Sequence, residues 1–194
     1  MTRIASLTVF ALAVLGCLEV PSRANDGRAM RDVVTPDGSA LDQACTPNAV
    51  ELCFDAIDNN CNGVIDEGCG LHSGVLQFAI AWDANEADVN LEVTDPAGET
   101  AQVGEGTTSG LYKDRDCPRD GAICFGQNVE NVYLLGGEPE RGRYKVVARL
   151  DRLGGATAPI HVHLGVRVGP RSYSLRFDLA PGAGSNEKTL EFTL

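Results

Sequence analysis

The stretch IHVHLGVRV, residues 160–168, decides the fold predicted for this chain. Apolar side chains occupy every second position from Ile160 to Val168, which is the spacing of a β-strand with one buried face. Runs with the same alternation recur on both sides of it, at residues 76–82, 89–93, 144–150, 173–179 and 190–194. The chain from about residue 73 onward is therefore predicted to be all-β.

Turn-forming residues separate these runs and indicate how the strands connect. Short segments rich in Gly and Pro lie between them, for example DPAG at 95–98, VGPR at 168–171 and APGAG at 180–184. Short strands joined by such turns are typical of antiparallel sheets packed face to face. We expect residues 73–194 to form an antiparallel β-sandwich with Trp82 in its core.

Two groups of polar residues in this region admit a metal-binding interpretation as well as a structural one. His161 and His163 alternate with apolar residues, and we interpret them as polar side chains on the solvent face of their strand. We interpret Asp83 and Asp88 as strand-end and turn residues. The alternative is a second calcium site at these two residues, with Asp114 or Asp116 as a further ligand.

Ahead of the predicted sandwich lies a segment of different composition, CFDAIDNNCNGVIDEGC at residues 53–69. It is rich in acidic and amide side chains and has almost nothing apolar to bury. Such a segment needs cross-links or a bound ion to offset the entropy of ordering it. With Cys45 it defines a predicted acidic module over residues 45–70.

Oxygen-bearing side chains at alternate positions of the module predict a calcium loop. The spacing of Asp58, Asn60 and Asn62, followed by Gly63, matches the start of an EF-hand-type loop, whose seventh position contributes a backbone carbonyl. Position twelve, normally a glutamate, is a cysteine here, and two early positions are neutral amides, so we expect weak binding. The predicted Ca²⁺ ligands are Asp58, Asn60, Asn62, the carbonyl of Val64, and Asp66, with Glu67 or Asp55 supplying a further oxygen.

Two alternatives to a calcium loop stay open. The module could be a disulfide knot with a solvated acidic loop and no metal. It could instead bind copper, although copper favours imidazole or sulfur ligands and His72 is the nearest histidine. Zinc fits less well, because seven residues separate successive cysteines and zinc sites usually contain closely spaced pairs.

The first residues predict export. Arg3 precedes an apolar run at residues 4–15, which suits a signal-peptide core but falls short of the roughly 20 residues that span a bilayer. The run ends before Cys17 in a sequence that resembles a bacterial lipobox, which implies that Cys17 is lipidated. A soluble secreted protein is the alternative. The predicted organisation is a signal peptide at 1–16 and a flexible tether at 17–44, with inner and outer membrane both open.

The cysteine count agrees with export. Seven cysteines occur, and lipidation of Cys17 leaves an even number, which we expect to pair in an oxidising compartment. Cys117 and Cys124 bracket a short loop and predict a local disulfide. Three pairings are possible among the cysteines of the module, Cys45, Cys53, Cys61 and Cys69.

The acidic module resembles a known bacterial motif. Residues 51–69 are similar to the metal-binding motif of MopE-type surface proteins, whose pattern is roughly E-x-C-x-D-G-x-D-N-D-C-D-G-x-x-D-E-G. The cysteines and the closing D-E-G match, whereas Asn60 and Asn62 stand where the pattern has aspartates. The resemblance implies metal binding, with those two replacements falling on implied ligands.

The predicted sandwich resembles a second family, the YfaP-like domains. Trp82-Asp83, DVNLEV at 88–93 and DPAGE at 95–99 resemble the opening W-D…D-V-D-L-x-V-x-D-P-x-G of that family. GRYKV at 142–146 resembles its G-x-Y-x-V strand. The resemblance implies an Ig-like β-sandwich of uncharacterised function with no known catalysis.

The net charge and the lack of catalytic motifs argue against two classes of function. The formal net charge of -11 argues against nucleic acid, because phosphate binding needs a basic face. No nucleophile elbow, zincin, P-loop or Rossmann motif occurs, so we do not expect an enzyme. We predict a periplasmic or cell-surface lipoprotein, anchored in the membrane by lipid, with a calcium-stabilised disulfide-rich module. Its β-sandwich has a binding or structural role toward an unknown protein or glycan partner. The alternatives are a carbohydrate- or peptide-binding accessory module and a copper-binding surface protein.

Overall fold

The computed structural model describes residue 41 and residues 45–118, 123–134 and 136–194. The predicted signal peptide, the predicted lipidation residue Cys17 and all of the predicted tether except Leu41 lie outside the described residues. Leu41 packs against the core of the sandwich. Within the described residues, no helix is long and apolar enough to cross a membrane.

The described residues form two antiparallel sheets. The strands are β1 (Leu76–Trp82), β2 (Asp88–Thr94), β3 (Leu111–Arg115), β4 (Val129–Leu134), β5 (Arg143–Arg152), β6 (Ile160–Val168), β7 (Arg171–Leu179) and β8 (Glu187–Thr193). The five-stranded sheet has the order β3-β4-β1-β6-β7, and the three-stranded sheet has the order β2-β5-β8. The predicted all-β antiparallel sandwich is confirmed.

Two strands, β3 and β4, lack the alternation of apolar and polar side chains that predicts the other strands. In β4 every residue is buried, because one face points between the sheets and the other is covered by a further layer. Polar side chains occur on both faces: Glu130 accepts a hydrogen bond from the N–H of Leu91 in β2, and Asn131 accepts one from Gln77 in β1. Because polar side chains occur on both faces of β4, its sequence does not alternate between apolar and polar residues.

The main core lies between the two sheets and includes the predicted residue Trp82. The ring of Phe78 lies 5.6 Å from that of Phe192 and 6.2 Å from that of Tyr144, measured between centroids. Trp82 is 5% exposed, and its indole N–H donates to the carbonyl of Ala87 at 3.2 Å. The aromatic side chains therefore anchor the two sheets to each other.

The acidic module forms a third layer on the outer face of the five-stranded sheet. Ala56 and Ile65 of the module pack against Ala79 and Ala81 of β1 in a second, smaller core. Small side chains on this face of β1 let the module lie close to the sheet. Gly165 in β6 is needed for the same reason, because a Cβ there would lie 2.2 Å from the carbonyl oxygen of Ala56.

The described residues contain three disulfides. The module contains Cys45–Cys61 and Cys53–Cys69, each with a sequence separation of 16, so the two bridged loops overlap along the chain. Cys117–Cys124 is the local disulfide expected from the sequence. The pairing within the module selects one of the three combinations that the sequence left open.

Candidate metal site in the acidic loop

The acidic loop, residues 58–67, begins at a buried carboxylate. Asp58 is 4% exposed. Its Oδ1 accepts a hydrogen bond from the N–H of Asn62 at 3.0 Å, and its Oδ2 accepts one from the N–H of Gly63 at 2.8 Å. Ser172 of β7 donates a third hydrogen bond, from Oγ to Oδ2, at 2.6 Å. The loop is thus folded back on its first residue.

The next two predicted ligands continue this pattern. Asn60 Oδ1 accepts the N–H of Asn62 at 3.0 Å, and Asn62 Oδ1 accepts the N–H of Val64 at 2.8 Å. Carboxylate and amide oxygens carry two lone pairs, so each of these amide oxygens keeps one for a further partner. The side chains at alternate positions therefore cap backbone N–H groups within one turn of the loop.

Glu67 closes the loop opposite these amides. The side-chain amides of Asn60 and Asn62 both donate to Glu67 Oε1. The other oxygen, Oε2, is buried and has no hydrogen-bond partner. An ionised oxygen removed from water without a partner carries a free-energy cost that a bound cation would offset.

Asp66 and Asp55 have other contacts. Asp66 is fully buried, and its carboxylate accepts the N–H groups of Phe54 at 2.6 Å, Asp55 at 3.3 Å and Ala56 at 3.2 Å. Asp55 accepts from the N–H of Ile57 at 2.9 Å and from the side-chain amide of Asn59 at 3.1 Å. Asp58, Asn60, Asn62 and Glu67 therefore contact one another or the backbone within the acidic loop. Asp66 and Asp55 instead hold the backbone of residues 54–57 through hydrogen bonds.

Two neighbouring side chains that the ligand prediction missed also act on the loop. Glu51 accepts the N–H groups of Asp66 and Asn59, both at 3.0 Å. Burial, reinforced by the negative charge of Glu67, raises the pKa of Glu51 to about 7. The motif pattern begins with this glutamate, so a signal for it existed, whereas Ser172 lies far along the chain and had none.

The charge around the loop includes several acids and the guanidinium of Arg167. Burial raises the pKa of Asp66 to about 6, and the nearby negative charge of Asp55 acts in the same direction. Burial lowers the pKa of Arg167, while the negative charge of Asp58 opposes that effect. Crowded acids of this kind favour cation binding, because a divalent ion would stabilise their ionised forms.

The donor atoms around the loop are oxygens, which hard cations prefer as ligands. Within the described ranges, no three His, Cys, Asp or Glu side chains form a metal-binding group by themselves, so amide and carbonyl oxygens have to complete the set. The module's cysteines are all in disulfides. Oxygen donors of this type suit Ca²⁺ and do not suit copper, which prefers nitrogen and sulfur.

The histidines have partners outside the acidic loop. His72 contacts Asp114 at 2.9 Å, and His161 contacts Asp178 at 2.7 Å. His161 is exposed, as predicted, whereas His163 is only partly exposed because the module covers it, and its Nδ1 lies 3.2 Å from the carbonyl oxygen of Asp55. The interpretation as a side chain on the solvent face is therefore confirmed for His161 and is wrong for His163.

Comparison with known protein families supports a metal-binding motif in this segment. The fold and the loop define a β-sandwich protein that carries a disulfide-rich module with a metal-binding motif. Residues 40–67 match the family model Cu-binding_MopE, described as "Putative metal-binding motif". No curated protein and no solved structure is significantly similar to the chain.

Proposed function

We propose that the acidic loop binds Ca²⁺ through Asp58, Asn60, Asn62 and Glu67, with the carbonyl of Val64 as a further ligand. The observation that supports this most directly is the buried, unpartnered Oε2 of Glu67 beside two convergent amides. Ca²⁺ accepts 6–8 oxygens in irregular geometry, which suits a mixed set of carboxylate, amide and carbonyl donors. The bound ion would neutralise the acids that crowd the loop.

The same donor set argues for weak binding suited to a calcium-rich environment. Only Asp58 and Glu67 of the proposed side-chain ligands carry charge, and affinity in such loops rises with the number of carboxylates. Extracellular calcium modules work at a Kd of roughly 10⁻⁴–10⁻³ M. We therefore place the function outside the cytoplasm.

The proposed location is the periplasmic face or cell surface, with a lipid on Cys17 as the anchor. The apolar run ahead of Cys17 supports it. So do the three disulfides, since such bonds persist in oxidising compartments. We assign the sandwich a binding or structural role rather than a catalytic one. Mass spectrometry of the membrane fraction tests the anchor: acyl groups on Cys17 are expected, and an unmodified Cys17 or a cleaved chain lacking it contradicts the anchor.

Neither alternative role gains support from the contacts described above. Trp82, the one tryptophan, lies in the core and offers no platform for a sugar ring. A copper site would need imidazole or thiolate ligands at the loop. Electron paramagnetic resonance after Cu²⁺ addition tests the copper alternative, which predicts a spectrum with nitrogen or sulfur ligation, whereas Cu²⁺ held only by oxygens of the acidic loop would show neither.

Isothermal titration of the purified, oxidised protein with CaCl₂ tests the proposal. We expect saturable binding near millimolar Kd for the wild type. Glu67→Gln removes a charged ligand and should weaken binding at least about tenfold, since interactions with a charged group contribute roughly 1.5–3 kcal/mol. Glu138→Gln, in an exposed turn, is the charge-matched control and should bind like the wild type. Absence of binding to the wild type at 10 mM Ca²⁺ contradicts the proposal.

A further inference from the structure

Asp58 connects the acidic loop to the sandwich. Its Oδ2 accepts a hydrogen bond from Ser172 Oγ at 2.6 Å, across a sequence separation of 114. Ser172 lies near the start of β7, an edge strand of the five-stranded sheet, and is 6% exposed. The first residue of the loop is thus held by a side chain outside the module.

The two hydrogen bonds to Oδ2 decide which oxygen of Asp58 keeps a free lone pair. Oδ2 accepts from both Gly63 N–H and Ser172 Oγ, so both of its lone pairs are used. Oδ1 accepts only the N–H of Asn62 and keeps one lone pair free. With Ser172 present, the carboxylate is fixed with Oδ1 available as a single ligand oxygen.

The backbone of the acidic loop also contacts the hairpin formed by β6 and β7, which carries Ser172. A Cβ at Gly63 would lie 2.5 Å from the carbonyl oxygen of Pro170, in the β6–β7 turn, so only glycine permits this approach. Gly63 also has a φ of 84°, which glycine adopts readily. The turn of the loop and the carboxylate of Asp58 are therefore both held by the segment Pro170–Ser172.

We propose that Ser172 is a positioning residue for the cation site and that the β6–β7 hairpin of the sandwich completes this site. The proposal rests on the proposed function, because it assigns Ser172 a role in Ca²⁺ binding. It implies that the module's calcium affinity depends on its docking to the sandwich. By linkage, Ca²⁺ should stabilise that docking by the same factor.

Calcium titrations of Ser172→Ala and Ser172→Thr test this. We expect Ser172→Ala to raise the Kd for Ca²⁺ about tenfold, as for the loss of one hydrogen bond to a charged group. Ser172→Thr keeps the hydroxyl and should recover most of the affinity. Ser185→Ala, which removes a hydroxyl from the exposed turn after β7, is the control and should bind like the wild type.

The unfolding temperature in EDTA separates a positioning role from a purely structural one. A purely structural Ser172 would lower that temperature in the alanine variant and leave the Kd unchanged, which overturns the proposal. If the wild type binds no Ca²⁺, the proposed function fails and this proposal fails with it. If the wild type binds and Ser172→Ala binds equally well, only the role of Ser172 is refuted.

Discussion

Asp66 shows how a single buried acid can organise a loop that has little apolar content. Its carboxylate accepts three consecutive N–H groups, from residues 54 to 56. Phe54 and Ala56, at the ends of that run, have positive φ angles of 68° and 57°, a conformation that non-glycine residues adopt rarely. The hydrogen bonds to Asp66 therefore stabilise an unfavourable backbone and place Ala56 against the sheet.

Replacing Asp66 with asparagine tests this role. The amide NH₂ cannot accept, so at least one buried N–H group loses its partner. We expect the free energy of unfolding to fall by about 1–3 kcal/mol, measured by urea denaturation followed by circular dichroism. Asp178→Asn, at a side chain that is 61% exposed, is the matched control and should change stability little. Equal stability of the two variants would contradict the assignment.

At the scale of the elements, β1 and β6 bear the contact between the sandwich and the module. All seven residues of β1 are buried, because the main core covers one face and the module covers the other. Beside it, Gly165 of β6 faces the carbonyl oxygen of Ala56 and the side chain of Ile65. The absence of a side chain at Gly165 sets how closely the module approaches.

Gly165→Ala should therefore destabilise the protein through overpacking. Its Cβ would lie 2.2 Å from the Ala56 carbonyl oxygen, so the module has to shift. Overpacking of this kind typically costs about 1–3 kcal/mol. Thermal unfolding should show a lower Tm, and hydrogen exchange should be faster in the module. Gly136→Ala adds a methyl group where nothing lies within 4 Å and is the control. Wild-type exchange rates in Gly165→Ala would refute the prediction.

Strand β4 carries a buried carboxylate between the sheets. Glu130 is fully buried, contacts Lys113 Nζ at 2.7 Å, and accepts the N–H of Leu91 at 2.6 Å. Burial raises the pKa of Glu130 to about 8. The positive charge of Lys113 opposes this rise, and a hydrogen bond with Asp116 reinforces it. Between its ordinary pKa of 4.5 and about 8, the folded protein holds a proton that the unfolded chain has released.

The free energy of unfolding should consequently fall as the pH rises from 5 to 8. One proton difference gives a slope of up to about 1.4 kcal/mol per pH unit. Glu130→Gln has no such proton, so its profile should be flatter than that of the wild type. Urea unfolding in EDTA at several pH values measures both slopes. Glu138→Gln should retain the wild-type slope, and parallel profiles for wild type and Glu130→Gln would disprove the effect.

At the scale of the whole molecule, the described residues form three layers. Two are the sheets, and the third is the acidic module, whose own apolar core is small. The module's overlapping disulfides, Cys45–Cys61 and Cys53–Cys69, compensate for that small core by restricting the unfolded chain. A bridge that closes a loop of this size contributes about 3 kcal/mol in the chain-entropy estimate. Covalent links, docking and the proposed ion thus stabilise the same layer.

Removing one bridge should make the module depend on calcium. In the double variant Cys45→Ser/Cys61→Ser, we expect a loss of about 3 kcal/mol in EDTA. Part of that loss should be recovered at 10 mM Ca²⁺, because a ligand that binds only the folded state stabilises it. Hydrogen exchange over residues 45–70 measures both effects. Cys117→Ser/Cys124→Ser removes a bridge outside the module and is the control. Unchanged exchange in the module of the first variant would contradict the prediction.

Much of the sandwich follows from local pattern. Six of the eight strands carry the alternation of apolar and polar side chains that marks one buried face, and Trp82 falls in the core as expected. β4 could not be predicted in this way, because Glu130 and Asn131 are buried and polar. Their burial is acceptable only with partners from Lys113 and Gln77, which local sequence does not specify.

By itself, the sequence determined the sheet-forming runs, the cysteines available for pairing, and the alternate oxygens of the loop. These features depend on neighbours along the chain, whose geometry the backbone fixes. The tertiary structure alone decided that the module lies on the outer face of the five-stranded sheet, that Asp66 shapes the backbone, and that Ser172 reaches Asp58. Those contacts join residues as many as 114 positions apart. They exist because the layers pack, and no local periodicity encodes which faces meet.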